Sequence, residues 1–151
     1  MSNKLNNKKS KIVGYINDNI ADEWNINAYS GNPIYQSSSF FKHVQRHIKD
    51  FESIDSFQNA LINVQDIILN PNFVCYNNTN KSLEYYKKLN EFVCIAVKLN
   101  EKNNKFYVTT LYPVRKDRAE KKLEKNMLNK YVKNFDCLEY EKNKKQNMKK
   151  N

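Results

Sequence analysis

Glycine is nearly absent. Gly14 and Gly31 are the only two in 151 residues, so no Gly-rich loop is available to cradle a nucleotide's phosphates. Cysteine is scarce too: Cys75, Cys94 and Cys137 are odd in number, far apart and without CxxC spacing. That pattern suits neither a disulfide framework nor a zinc ribbon. Cys75 and Cys94 fall within apolar runs and read as small core residues; a Cys94–His nucleophile pair is the less favoured reading. No apolar run approaches the roughly 20 residues of a membrane-spanning helix. The lysine-bearing N-terminus has no apolar segment of the secretory kind. These absences lead to the expectation of a cytoplasmic site of action, with no membrane span.

Histidine is the scarcest residue that matters. Only His43 and His47 occur, four positions apart in Ser37-Ser38-Ser39-Phe40-Phe41-Lys42-His43-Val44-Gln45-Arg46-His47-Ile48-Lys49-Asp50-Phe51. The spacing of Phe40, Phe41, Val44, Ile48 and Phe51 predicts an amphipathic helix. Residues four apart share a face, so both imidazoles fall at the edge of the apolar arc, with Arg46 and Asp50 just beyond. Two half-buried structural histidines would look the same. Zinc binding by the pair is disfavoured, because Val44 stands where an HExxH motif has Glu and there is no third histidine. No metal and no cofactor is expected.

What is plentiful is positive charge. The formal net charge is +10, with 26 Lys and Arg against 16 Asp and Glu. Residues 1–11 and 141–151 carry +4 each, leaving +2 for the body, so most of the excess favours nonspecific attraction to polyanions. Within the body, residues 105–133 hold nine cations against three anions. With 40% hydrophobic and 13% aromatic residues, the chain has material for one core. Residues 1–10 read as a disordered basic tail, 11–135 as a single domain and 136–151 as a lysine-rich tail.

Along the chain, Lys11 to Ile16 suits a short strand, and Asp18 caps a helical turn through Ile20 and Trp24. Ser30-Gly31-Asn32-Pro33 signals a turn before an extended Ile34-Tyr35. Phe57, Leu61, Val64, Ile67 and Ile68 predict one helix over residues 56–69, ended by Asn70-Pro71. Phe73 to Tyr76 is β-like, and Lys81 to Leu89 fits helix or strand. Glu91 to Leu99 is nearly all apolar, as in a central strand covered on both faces. With Lys105 to Tyr112 it predicts a hairpin. Asp117 then opens a helix to about Lys133, striped by Ala119, Leu123, Met127 and Tyr131.

Strict alternation along the second hairpin strand places Thr110 and Tyr112 on one face with Phe106 and Val108, and Thr109 on the other. Arg115, Lys116 and Arg118 follow. Such residues are ordinary β-formers and solvated cations when taken singly. Together with two imidazoles they form the set needed for ribonucleolytic transesterification. One group removes the 2′-OH proton, another protonates the leaving 5′ oxygen, and cations stabilise the phosphorane. Imidazole suits both proton transfers.

The order of these pieces resembles a known family. A helix with H-x-x-x-H is followed by Asn70-Pro71-Asn72-Phe73-Val74, a strand over Phe92–Leu99, and Phe106-Tyr107-Val108-Thr109-Thr110-Leu111-Tyr112. This resembles the phage-associated barnase–EndoU–colicin–RelE-like nucleases, abbreviated PBECR. The resemblance covers about residues 12–118 and departs from the pattern at Asn72, where an acidic residue is common. It implies an α+β fold, with N-terminal helices packed on a curved antiparallel sheet and here a C-terminal helix added. It also implies a metal-independent endoribonuclease, used as a toxin or phage effector, with RNA (tRNA among the candidates) as substrate and an antitoxin or immunity protein as partner. His43, His47, Thr110 and Tyr112 are then the catalytic candidates, and Arg46, Arg115, Lys116 and Arg118 the phosphate-binding ones. Two other readings compete: a non-catalytic nucleic-acid-binding or regulatory protein, with Tyr107 and Tyr112 stacking on bases, and a mobile-element protein that inhibits a host partner.

Overall fold

The computed structural model describes residues 10–125. Six strands, β1 (Ser10–Tyr15), β2 (Pro33–Ser37), β3 (Phe73–Asn77), β4 (Ser82–Lys88), β5 (Phe92–Asn100) and β6 (Lys105–Pro113), form one sheet in the order β1-β2-β6-β5-β4-β3. Every neighbouring pair is antiparallel except β2–β6, which is parallel. Five helices complete the fold: α1 (Asp18–Glu23), α2 (Phe40–Val44), α3 (Ile54–Ile62), α4 (Val64–Leu69) and α5 (Lys116–Lys125). Two 3-10 segments, Asn27–Tyr29 and Gln45–Asp50, lie between them. The α+β class with a curved, mostly antiparallel sheet is therefore as expected.

Both faces of the sheet are used. On the first, Val13, Ile34, Val93, Ile95, Val97, Phe106, Val108 and Leu111 pack against Ile20, Phe40, Val44, Phe57, Ile67 and Ile68. This is the main core, and it accounts for the apolar stripes on the helices. On the second face a smaller cluster joins Phe73, Cys75, Tyr86 and Cys94 to Val114 and Ala119 of the C-terminal segment. Phe73 and Tyr86 stack there, ring centroids 4.6 Å apart. The strand β5, with Cys94 on one side and Val93, Ile95 and Val97 on the other, is covered on both faces. The ambiguous stretch 81–89 is strand β4, because its Leu83 and Tyr85 alternate into the main core while Tyr86 turns to the second cluster.

Three local expectations are corrected. The helix expected over 56–69 breaks at Asn63 (φ −101°, ψ 15°), which ends α3 and precedes α4. Its side-chain amide donates to the Asn59 carbonyl at 2.7 Å, a local bond that competes with helix continuation. The helix expected through Phe51 is α-helical only to Val44 and 3-10 from Gln45 to Asp50. No residue of that 3-10 segment is buried, so little packing enforces α geometry. Finally, a bulge in β6 pairs Ala96 with Thr110 but Val97 with Val108. One extra residue shifts the alternation, so Phe106 and Val108 share the main-core face with Leu111, opposite Thr110 and Tyr112. The expected helix beyond Lys125, Cys137 and the two tails lie outside the described residues.

Two side chains show how closely the layers meet. Asn72 is fully buried; its N–H donates to the Tyr86 carbonyl at 2.7 Å, and its Oδ1 accepts from the Lys88 N–H at 2.5 Å. It stitches the start of β3 to the end of β4, and this gives the Pro71-Asn72 element a structural use. Gly14 lies under α4: a Cβ built there would stand 2.6 Å from Ile68 Cγ2. Gly14→Ala should therefore destabilise by about 1–3 kcal/mol through overpacking. Thermal melts should show a Tm lowered by about 2–10 °C at this chain length. In an Ile68→Ala background, which removes the clashing methyl, the same substitution should cost little.

Burial pushes the Cys75 and Cys94 thiols up to about 12. A raised thiol pKa means a depleted thiolate, about one part in 10⁴ at pH 8, and only the thiolate alkylates readily. In a Cys137→Ser variant, iodoacetamide at pH 8 should leave both cysteines unmodified by mass spectrometry until denaturant is added. Alkylation of the native protein within minutes would contradict their placement.

Candidate active site

β2 runs beside β6 for only two register pairs, Ile34–Phe106 and Tyr35–Tyr107. The chain then leaves the sheet and packs α2 and the following 3-10 segment along the rest of β6. Phe40 and Val44 anchor this segment in the core. The polar residues between them and Phe51 line the rim of β6, and this brings the histidine segment to the far end of that strand.

Residues three apart eclipse in a 3-10 helix, and the side chains pair accordingly. Arg46 Nη2 lies 3.1 Å from His43 Nε2. A guanidinium only donates, so His43 accepts at Nε2 and its ring proton sits on Nδ1. His47 Nδ1 lies 3.2 Å from Asp50 Oδ2. A carboxylate only accepts, so here Nδ1 carries a proton, and in the neutral ring the lone pair lies on Nε2. The His47 side chain is 26% exposed, and its ring centroid is 6.1 Å from that of Tyr112. His47, Asp50 and Tyr112 thus form one group, which the i, i+4 reading did not anticipate for Asp50. An i, i+3 histidine–aspartate spacing was the available signal, but it only aligns if the helix tightens.

Tyr112 is half-buried. Its phenol is pushed well above the ordinary tyrosine value, first by burial and then by the neighbouring Cys94, while Arg118 acts in the opposite sense. It stays protonated, and its hydroxyl donates to the Cys94 sulfur. Next to this group a cleft of about 620 Å³ is lined by Asp50, Glu52, Glu91, Arg115 and Lys116, among others. Arg115 is exposed and grips Asp117 through two hydrogen bonds, Nε–Oδ1 3.1 Å and Nη2–Oδ2 2.7 Å. That pairing raises the arginine and lowers the aspartate from their ordinary values. Lys116 and Arg118 are exposed.

His43 opens onto a different cleft, of about 700 Å³, together with Lys42, Ser37, Ser39, Tyr107 and Thr109. Thr109, and not Thr110, lines it. Thr109 Oγ1 donates to the Ala96 carbonyl at 3.1 Å. Thr110 Oγ1 is buried without a hydrogen-bond partner, on the side of β6 away from the main core. The candidate residues are therefore divided: His47 with Tyr112 and Asp50, Arg115 and Lys116 in the cleft that Asp50 borders, His43 with Arg46 at the other cleft, and Thr110 in neither. Among the described residues no three His, Cys, Asp or Glu side chains converge as a metal-binding group, and no helix is long and apolar enough to cross a membrane.

No curated protein and no solved structure matches this chain. A family profile does, described as phage-Barnase-EndoU-ColicinE5/D-RelE like nuclease3, and it spans residues 10–125. That span contains the sheet, all five helices and both clefts. The strand order, the helices on both faces and the histidine segment along β6 thus accompany a match over most of the sequence, and the chain belongs to the phage-Barnase-EndoU-ColicinE5/D-RelE like nuclease3 family.

Proposed function

We propose that this nuclease-family protein is a metal-independent endoribonuclease that cleaves RNA by attack of a ribose 2′-OH on the adjacent phosphorus. The observation that carries the reading is the His47–Asp50 pair beside the Tyr112 ring. Asp50 holds the His47 tautomer whose Nε2 can take a proton, as a carboxylate does for a general-base imidazole elsewhere. His47 Nε2 removes the 2′-OH proton as the 2′ oxygen bonds to phosphorus. The 5′ oxygen then leaves with a proton from a second acid, and a 2′,3′-cyclic phosphate remains. Burial keeps the Tyr112 phenol protonated, so it donates a hydrogen bond to a nonbridging oxygen once substrate draws its hydroxyl from Cys94. Lys116 and Arg115 line the cleft that Asp50 borders and offset the charge of the phosphorane.

His43 is the second proton-transfer candidate. Arg46 occupies its Nε2, so it serves only after substrate phosphate draws the guanidinium away. In this reading the protein acts in the cytoplasm as a toxin or phage effector, with tRNA among its candidate substrates and an immunity protein as a natural partner. The rest of the cationic surface, Arg118 included, holds RNA through salt-sensitive phosphate contacts.

Labelled tRNA and mRNA incubated with the purified protein in EDTA test this. Wild type should yield fragments ending in cyclic phosphate. His47→Ala should lose about 10²–10⁴-fold in rate, the usual worth of a general acid or base. Asp50→Asn should lose about 10-fold or more, with KM little changed, because it removes an orienting group and not a substrate contact. His43→Ala should fall less than His47→Ala. RNA left intact by wild type under these conditions would refute the proposal. Expression of wild type should also arrest host growth, and His47→Ala should relieve it.

A further inference from the structure

The sheet face opposite the main core carries a feature that the chemistry above does not use. Ile12, Tyr35, Tyr107 and Lys98 occupy aligned positions on the neighbouring strands β1, β2, β6 and β5. The residues preceding Tyr35 and Tyr107, the register partners Ile34 and Phe106, point into the core, so this row points the other way. The second apolar cluster and α5 engage β3, β4 and β5, away from the β1–β2–β6 end. There Ile12 is 43% exposed, Tyr35 and Tyr107 are half-buried, and Lys98 is exposed.

Two aromatic rings on adjacent strands thus form a platform. Their centroids are 5.8 Å apart with planes inclined by 37°, side by side and not stacked on one another. Each is fixed by a neighbour. Lys105 Nζ stands 5.2 Å from the Tyr35 ring centroid, and Asn103 Nδ2 donates to the Tyr107 hydroxyl at 3.1 Å. The β5–β6 turn that supplies both is itself held by Asn side chains: Asn100 Oδ1 accepts from the Lys102 N–H, and Asn103 Oδ1 from the Lys105 N–H. Asn104 adopts φ +58° there, a conformation Asn tolerates better than most residues. Cations flank the rings, with Lys98 and Lys105 on the sheet and Lys42 at the rim of the adjoining cleft.

We propose that Tyr35 and Tyr107 are a stacking platform for unpaired RNA bases. The surface offers ring faces at strand spacing, with positive charge for the backbone alongside, which is the recognition chemistry of single-stranded nucleic acid on a sheet. Paired bases hide their faces within a helix, so the platform selects loops, bulges and ends over duplex. Tyr107 also lines the cleft that holds His43, so a strand lying across the two rings is led around the edge of β6 toward the histidine segment. RNA as the ligand rests on the nuclease reading above. The platform itself is tested without cleavage.

The probe is a fluorescein-labelled, unstructured 2′-O-methyl 12-mer, which has no free 2′-OH, compared with the same strand in a full duplex. Tyr35→Leu and Tyr107→Leu should each weaken binding of the single strand by about 5–150-fold, the range for losing one stacked base. Duplex binding should change less than twofold. Tyr35→Phe and Tyr107→Phe keep the rings and should bind nearly as wild type, which guards against misfolding of the leucine variants. Lys105→Gln should flatten the salt dependence by about 0.7 in log–log slope, the worth of one phosphate contact on a single strand. Unchanged single-strand affinity in the leucine variants, equal loss on duplex, loss in the phenylalanine variants, or no binding by wild type would each overturn the platform. Tyrosine-dependent binding without cleavage of the all-ribose strand would instead sink the nuclease reading and keep the platform. Cleavage with tyrosine-independent binding would do the reverse.

Discussion

The shortness of the β2–β6 pairing governs this structure. Two register pairs suffice to insert β2 parallel to β6, and the remainder of β6 is left for another element to border. A strand edge left open is a liability, and here the polypeptide covers it with its own α2 and 3-10 segment. Phe40 and Val44 bury fully in doing so. The hydrophobic gain of about 1.5–3 kcal/mol for each such side chain is what holds the segment, because the 3-10 half contributes no buried residue. The histidines are therefore delivered to the strand by two apolar anchors, Phe40 before both and Val44 between them, with Phe51 closing the segment behind.

That arrangement divides labour between the two faces of the sheet. The main core takes the helices and most of the apolar area. The second face is only partly apolar, and its buried groups are unusual: Tyr86 and Tyr112 are both pushed above the ordinary phenol value by burial. Tyr86 donates to Glu84 Oε1 at 3.0 Å, and Lys122 of α5 reaches the same oxygen at 3.7 Å. With the Glu84 side chain 12% exposed, this ion pair is better shielded from water than the solvent-exposed pairs that contribute little. α5 thus reaches the sheet through Ala119 and the Lys122–Glu84 ion pair.

Much of the fold was legible because it is written in period. Glu91 to Leu99 has no other use than a strand buried on both sides, and Leu83, Tyr85 and Tyr86 decide for β4 once a partner strand exists on either side. The errors fall where a single residue changes the period. Thr109 adds one position to β6, and no composition signal marks it; a threonine is a good strand residue whether bulged or paired. Strict alternation then put Thr110 beside Val108 when the fold separates them. Asn63 ended a helix whose apolar spacing runs on without interruption through Val64, Ile67 and Ile68. Tyr35 and Tyr107 are 72 positions apart, so their meeting is a consequence of topology that no local pattern could announce. The family likeness, in contrast, was visible because it depends on the order of elements and not on their boundaries.

The candidate site shows the same dependence on helical pitch. In an α-helix, His43 and His47 would lie about 40° apart and look into one space. Tightening to three residues per turn after Val44 adds about 20° per residue, which swings His47 away from His43 and aligns it with Asp50. The sequence contains both pairings, and the choice between them is made by burial. Had Gln45 or Lys49 been apolar, the segment would have had reason to stay α-helical and present two imidazoles side by side. Because they are polar, the local i, i+3 partners win: Arg46 takes His43, and Asp50 takes His47. One histidine is thereby occupied by a cation at Nε2, the other is held by a carboxylate at Nδ1, and the two imidazoles become chemically unequal through backbone geometry.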